Sequence, residues 1–90
     1  MQTLIPVYTK AFNKDIKKLK SSKKNFEKFR HVAEKLVKQE KLEIKHRDHK
    51  LTGNFLNRRE CHIEPDWLLI YKIEGEYIIF ERTGSHSDLF

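Results

Sequence analysis

Apolar residues follow two different periods along this chain, and the change between them divides the sequence into two halves. In the first half, apolar residues recur every three or four positions, as they do on one face of a helix. In the second half, three apolar stretches are separated by short polar connections, which is the spacing of strands joined by hairpins. The pattern predicts two helices packed on one face of a small antiparallel sheet, an α+β fold of two layers.

The first half contains a short strand and the two predicted helices. Residues 3–8 form the strand, and Pro6 places it at a sheet edge because proline lacks an N–H donor. Thr9 can cap the first helix, which Ser21 and Ser22 interrupt. The buried stripes of the two helices are Phe12, Ile16 and Leu19 in the first, and Phe26, Phe29, Ala33, Leu36 and Val37 in the second.

The second half begins with a polar segment, residues 41–54, which we interpret as a loop that ends in a turn at Gly53. Strands are then predicted over residues 55–63, 67–73 and 77–83. Residues 67–71 are apolar at every position, so the second of these strands should be central and buried on both faces. The resulting order is βααβββ, and we expect residues 1–90 to form one domain.

Charge is distributed unevenly between the halves. Residues 1–50 hold 15 Lys/Arg against 6 Asp/Glu, a net charge of +9, whereas residues 51–90 hold 4 against 7, a net charge of −3. A lysine-rich helical surface can simply be solvated, but it also attracts phosphate groups, and RNA or DNA is the polyanion that we favour. We expect no membrane association, because the sequence shows neither a membrane-spanning stretch nor a signal-peptide pattern. A single cysteine predicts the reducing cytoplasm.

Three histidines in the second half are the candidates for acid–base chemistry. Histidine titrates near neutral pH, so His49, His62 and His86 could supply both an acid and a base. Antiparallel folding can bring them together with Asp66, although the pattern does not prove that it does. Side chains alternate along a strand, so Arg58, Glu60 and His62 should share one face, whereas Arg59, Cys61 and Ile63 share the other. We interpret Cys61 as a buried apolar residue, and His31 and His46 as ordinary surface histidines.

The segment from residue 49 to residue 90 carries the motifs HKLTG, RRECHIEPDWLLIYK and FERTGSHSDLF. In this order they resemble the YafQ branch of the RelE/ParE superfamily, the ribonuclease toxins of bacterial type II toxin–antitoxin systems. The resemblance implies an mRNA interferase that cleaves messenger RNA without a metal or another cofactor, usually in the ribosomal A site. It also implies an acidic antitoxin as partner. The functional positions of the family fall on His49, His62, Asp66, Trp67, His86 and Phe90.

Metal-free RNA cleavage needs a base for the 2′-hydroxyl, an acid for the leaving 5′ oxygen and positive charge on the phosphate. We assign His86 as the acid, with His49 and His62 as candidates for the base or for phosphate contact. Asp66 could orient a histidine or act as a base itself. The candidate RNA contacts are Arg82 and Arg58 as phosphate clamps, Trp67 as a stacking platform or a core residue, and Phe90 as a stacking ring or a frayed terminus.

Two alternatives concern the site as a whole. His62, Asp66 and His86 could in principle bind a metal, but no pair of cysteines or histidines has the spacing of a zinc finger, so we predict no metal site. The ParE branch of the superfamily binds DNA gyrase and cleaves nothing. Several proton-transfer groups have no purpose on a surface that only binds, so the histidines favour the nuclease.

Overall fold

The predicted helices and strands occur in the predicted order in the computed structural model, which describes residues 3–53 and 57–90. A 3₁₀ turn, a two-residue strand and a one-turn C-terminal helix occur in addition. The elements are β1 (Ile5–Tyr8), α1 (Lys10–Lys20), α2 (Phe26–Val37), the 3₁₀ turn (Ile44–His46), β2 (His49–Lys50), β3 (Arg59–Glu64), β4 (Trp67–Glu74), β5 (Tyr77–Gly84) and α3 (His86–Leu89).

Both long helices begin at side chains that accept a hydrogen bond from the first turn. The Thr9 hydroxyl accepts from the Phe12 N–H at 3.0 Å, as the sequence predicted, and the Asn25 side chain accepts from the Glu27 N–H at 3.0 Å. The two helices are short, so packing of their apolar stripes against the sheet supplies most of their stability.

The sheet has five strands in the order β1-β5-β4-β3-β2. The three hairpin contacts are antiparallel, as predicted, whereas β1 pairs with β5 in parallel at one edge of the sheet. Both helices and the strands β2, β3 and β4 separate β1 from β5 in sequence, so the two are not joined by a hairpin and parallel pairing is possible. The predicted positions of β1 at an edge, where Pro6 is tolerated, and of β4 at the centre are confirmed.

The core lies between the helices and one face of the sheet. Trp67 and Cys61 are fully buried in it, and the Trp67 indole N–H donates to the Thr83 hydroxyl at 2.9 Å. A ring without exposed surface cannot stack on a base, so the assignment of Trp67 as an RNA contact is wrong, and its alternative as a core residue is confirmed. The remaining sheet and helix residues of this core include Ile63, Leu69, Tyr71, Ile78, Phe80, Phe12, Leu19, Val32 and Leu36.

Segment boundaries differ from the prediction around the first hairpin. The strand predicted over residues 55–63 begins at Arg59 in the structure, and residues 55 and 56 lie outside the described residues. Gly53 has the positive φ of 68° that suits a turn. The segment before it is not wholly loop, because His49 pairs with Glu60 and Lys50 pairs with Arg59. This short ladder fixes His49 against β3.

A bulge in β5 sets the direction of its last residues. Ile70 pairs with Arg82 and Tyr71 pairs with Phe80, so Glu81 is the extra residue in β5. Phe80 and Thr83 therefore both face the core although they are three residues apart. Arg82 is aligned with Ile70 on the opposite face, which is the face that carries the predicted site.

Candidate functional site

The candidate site lies on the outer face of the sheet, the side away from the helices, on which Glu60 and His62 project. Cross-strand pairing places four residues in one row, in the order His49, Glu60, Ile70 and Arg82. The next row contains His62, Leu68 and Gly84. Residues from four different strands thus become neighbours through register alone.

The three predicted histidines form a continuous line, which we call the histidine row. Its ring centroids are 6.4 Å apart between His49 and His62 and 5.8 Å apart between His62 and His86. His49 and His86 are exposed, with 48% and 58% of their side-chain surface accessible, whereas His62 in the middle is 10% exposed. The structure therefore brings together the groups that sequence could only suggest.

Glu60 lies between two of these histidines and was missed by the sequence analysis. Its Oε1 atom is 3.4 Å from Nε2 of His49 and 3.5 Å from Nε2 of His62, and its side chain is 6% exposed. Strand alternation had placed Glu60 on the face of His62, and that was the signal available. Nothing in the sequence, however, showed that β2 would pair with Glu60 and so bring His49 to the same carboxylate.

The Nδ1 atoms of the same two rings face carbonyl oxygens. Nδ1 of His49 is 2.6 Å from the Arg47 carbonyl, and Nδ1 of His62 is 3.3 Å from the Pro65 carbonyl. A carbonyl only accepts hydrogen bonds, so Nδ1 carries the proton in each neutral ring, and Nε2 is left as a lone pair that faces Glu60. Nε2 can donate to Glu60 only after the ring takes up a second proton. The arrangement is suited to receiving a proton.

The opposite end of the histidine row is organised by Asp66. Its Oδ1 atom accepts from the His86 backbone N–H at 3.0 Å and lies 3.1 Å from Nδ1 of the same residue. Both hydrogen bonds lower the pKa of Asp66, and the one from the His86 backbone N–H has the larger effect. The Asp66 carboxylate is therefore ionised at neutral pH. Asp66 therefore keeps the proton of His86 on Nδ1 and leaves Nε2 directed to solvent or substrate.

Helix α3 carries His86 and is held by local capping. The Ser85 hydroxyl accepts from the Asp88 N–H at 3.2 Å, and the Asp88 carboxylate accepts from the Ser85 N–H at 3.4 Å, a reciprocal capping box. The Ser85 contacts and Lys18 lower the pKa of Asp88. Phe90 follows this helix, its N–H donates to the His86 carbonyl at 2.8 Å, and its ring lies 6.4 Å from His86. The exposed Phe90 ring therefore extends the histidine row.

His46 is not the surface residue that the sequence suggested. It is 5% exposed, and its Nδ1 atom is 2.7 Å from the carbonyl oxygen of His62. The 3₁₀ turn faces inward at His46 and leaves Ile44 93% exposed, which is the reverse of what polarity predicts. His46 thus supports the backbone of the central histidine from the inside.

Asp48 forms a second support beside His49. Its Oδ1 atom accepts from the Tyr71 hydroxyl at 2.6 Å, and its Oδ2 atom lies 3.2 Å from Nη2 of Arg59. Burial, followed by the hydrogen bond to Asp48, raises the pKa of Tyr71, and Asp48 also raises the pKa of Arg59. These contacts fix the segment that leads into β2, and the sequence analysis did not identify them.

Both candidate arginine clamps are engaged in ion pairs. Arg58 donates from Nε to Glu81 at 2.8 Å. Arg82 donates to both carboxylate oxygens of Asp15, from Nε at 2.7 Å and from Nη2 at 3.0 Å. The hydrogen bond to Asp15 raises the pKa of Arg82, so the guanidinium stays charged. Whether either arginine binds phosphate remains a prediction.

Neither a metal-binding cluster nor a membrane-spanning helix occurs among the described residues. Among residues 3–53 and 57–90, no group of three or more His, Cys, Asp or Glu side chains is arranged to hold a metal ion. Within the same part of the chain, no helix has the length and apolar character needed to cross a bilayer.

Comparison with known proteins agrees with the motifs that form the site. Residues 4–90 match the family model described as the bacterial toxin of type II toxin–antitoxin system, YafQ. The chain is 36% identical over 84 residues to the mRNA interferase toxin YafQ of Escherichia coli K12, an alignment that covers 92% of this chain and 91% of that protein.

Solved structures are similar over almost the whole chain. The Escherichia coli DinJ–YafQ toxin–antitoxin complex contains a chain that is 34% identical, with a TM-score of 0.89 and coverage of 98% of each chain. A metal-bound toxin from Helicobacter pylori is 36% identical, with a TM-score of 0.91 and coverage of 97% of this chain and 99% of that one. The chain therefore belongs to the YafQ family of toxins of bacterial type II toxin–antitoxin systems.

Proposed function

We propose that this chain is an mRNA interferase, an endoribonuclease that cleaves messenger RNA by acid–base catalysis without a metal ion. The observation that carries the proposal is the histidine row, with a proton-accepting group at one end and a carboxylate-oriented histidine at the other. The name of the 36% identical relative, an mRNA interferase toxin, supports the same reaction.

The reaction begins at the end of the row formed by His49 and Glu60. Nε2 of His49 takes the proton of the ribose 2′-hydroxyl, and the buried Glu60 carboxylate stabilises the imidazolium that forms. The 2′ oxygen then bonds to phosphorus while the bond from phosphorus to the 5′ oxygen breaks. His62, buried between the two ends, becomes a further hydrogen-bond donor beside the phosphate only when its ring takes up a second proton.

The reaction is completed at the His86 end of the row. Protonated His86 delivers a proton from Nε2 to the leaving 5′ oxygen, while its Nδ1 remains hydrogen-bonded to Asp66. One proton is taken up and one is released, and the products are a 2′,3′-cyclic phosphate and a 5′-hydroxyl. Asp66 is already engaged with His86, so we assign it to orientation rather than to the role of base.

Substrate contacts lie around this centre. Arg82, and Arg58 beside Glu81, are the proposed phosphate clamps, because a guanidinium matches two phosphate oxygens at once. Phe90 is placed to stack on a base next to the scissile bond. The basic residues of the helical half add attraction to RNA that does not depend on its sequence.

The proposed partners follow from charge. We expect the messenger to be cut on the ribosome in the cytoplasm, where the positive helical half can approach ribosomal RNA as well as the substrate. An acidic antitoxin segment that covered the basic helices and the histidine row would block RNA and neutralise the first half. The complex of a relative with the antitoxin DinJ supports a partner of this kind.

Cleavage in excess chelator tests the reaction. We expect the purified chain to cleave RNA, free or on translating ribosomes, in EDTA and to leave 5′-hydroxyl ends, because only side chains move protons. The Helicobacter pylori relative has been solved with bound metal, so the chelator comparison is the decisive one for this chain. Activity that is lost in EDTA and restored by a divalent metal would refute the metal-free mechanism. If the folded chain cleaves neither substrate but inhibits gyrase, the ParE-like alternative holds.

A further inference from the structure

Helix α1 reaches the open edge of β5 through Asp15. Strand β1 pairs with β5 from Tyr77 to Phe80, so within the described part of the chain the end of β5 has no strand neighbour on that side. Asp15 occupies this open edge, and its Oδ2 atom accepts from the Thr83 backbone N–H at 3.1 Å. A helix side chain thus takes the place of a missing strand beside Arg82.

The same carboxylate binds the guanidinium of Arg82 through two hydrogen bonds. Nε donates to Oδ2 at 2.7 Å and Nη2 donates to Oδ1 at 3.0 Å, and the Asp15 side chain is only 13% exposed. These contacts use two of the five N–H donors of an arginine. The other three, on Nη1 and the far side of Nη2, form the edge of the fork that points away from Asp15.

Arg82 belongs to the same cross-strand row as Glu60 and His49, and only Ile70 separates it from Glu60. A free arginine side chain loses considerable rotamer entropy when it binds a phosphate. An arginine that is already held by a buried carboxylate has lost that freedom before the substrate arrives, which is the general advantage of preorganisation.

We propose that Asp15 is a positioning residue, which orients Arg82 so that its free edge contacts the phosphate of the RNA. The inference rests on the proposed function, because it assigns Asp15 a role in RNA cleavage through Arg82. Asp15 itself does not touch the substrate.

The substitution Asp15→Asn separates this role from bulk electrostatics. It removes one negative charge from the basic half, so electrostatics alone would strengthen RNA binding. Positioning predicts the opposite sign, a fall in kcat/KM of about tenfold, the size expected when a charge-assisted contact is weakened. The matched control is Glu27→Gln, which makes the same change of charge on α2, where Glu27 pairs with the exposed Arg30. It should leave kcat/KM unchanged or slightly raised.

A double-mutant cycle separates positioning from a structural role at Thr83. Arg82→Ala alone should lower kcat/KM by a factor on the order of 10 to 100. In that background Asp15→Asn should cause no further loss, because the residue through which it acts has gone. Equal losses from Asp15→Asn in both backgrounds, or parental activity of Asp15→Asn, would overturn the proposal. If the parent cleaves RNA and Arg82→Ala cleaves equally well, Arg82 is not a clamp and the inference fails while the proposed function stands.

Hydrogen exchange of the arginine side chain provides a test in the unmodified protein. The Arg82 Nε–H, bound to a largely buried carboxylate, should exchange with water much more slowly than the Nε–H of the exposed Arg47. Equal exchange rates would show that Asp15 does not hold the guanidinium, and this result does not depend on any variant remaining folded.

Discussion

The two ends of the histidine row are constructed in different ways. At one end, Glu60 and the adjoining central histidine, His62, lie on a β-strand, are almost completely buried, and are supported from behind by His46, while His49 itself is exposed. At the other end, His86 lies on a one-turn helix and is exposed, and Asp66, itself exposed, holds it. The proton-accepting end is thus part of the sheet, whereas the proton-donating end is attached to its rim. A substitution at the first end should therefore lower both stability and cleavage, whereas a substitution at the second end should lower cleavage alone.

The largest effect is expected from His86→Ala. Loss of a general acid typically lowers the rate by about 10²- to 10⁴-fold, and an exposed side chain contributes little to packing. Cleavage should therefore fall by that factor while the melting temperature stays close to that of the parent, as measured by RNA cleavage and thermal denaturation. Parental cleavage by a folded His86→Ala would pass the role of acid to His49, His62 or Asp66. A large loss of stability would remove the contrast between the two ends.

A smaller effect, but on both properties, is expected from His46→Ala. It leaves the His62 carbonyl without its buried donor, which costs about 1 to 3 kcal/mol of unfolding free energy, and it allows the central histidine to shift. Urea denaturation and cleavage assays should show losses together. The control is His31→Ala, which alters an exposed histidine that lines a surface cavity together with His46. If His46→Ala matched this control in stability, the accepting end would not depend on its internal support.

The smallest effect is expected from Asp66→Asn and should depend on pH. The amide keeps an acceptor but loses the charge that fixes His86, so we expect cleavage to fall about tenfold, the low end for a charge-assisted hydrogen bond. The folded-state pKa of Asp66 lies below its ordinary value of 3.8, so its stabilising contribution is present above that value and is lost as the pH falls through the folded pKa.

Carbon-13 NMR titration of the Asp66 carboxyl measures this directly. Its midpoint should lie below 3.8 in the parent and move back toward that value in His86→Ala, which removes the side-chain contact but keeps the backbone N–H. A midpoint at or above 3.8 in the parent would mean that the Asp66 carboxylate does not form these hydrogen bonds with His86.

Sequence predicted the parts of the molecule that depend on local pattern. The stripe of α1, the cap at Thr9, the edge position of Pro6 and the central strand that starts at Trp67 all follow from periodicity and backbone chemistry. Family motifs supplied the candidate site residues, and the structure places His49, His62 and His86 in one line.

Sequence could not predict the parts that depend on pairing between distant segments. Glu60 became a site residue only because a two-residue strand pairs His49 with it, and two residues are too few to leave a periodic signal. His46 is buried by an inverted 3₁₀ turn in which the apolar Ile44 faces water. The contact between Asp15 and Arg82 spans 67 residues and joins a helix to the end of a strand. Polarity alone gives no sign of any of these contacts.

The unpaired position of Glu81 in β5 decides which face the residues after it occupy. Alternation runs in one phase up to Phe80 and in the opposite phase from Arg82 onward, and Glu81 is the point at which the phase changes. If Glu81 took a regular place in the ladder, Arg82 and Thr83 would exchange sides, which would place a charge beside Trp67 and remove an arginine from the outer face. A gap at this position in a sequence comparison should therefore leave Arg82 and Thr83 on their present faces, because Arg82 would then follow Phe80 in ordinary alternation.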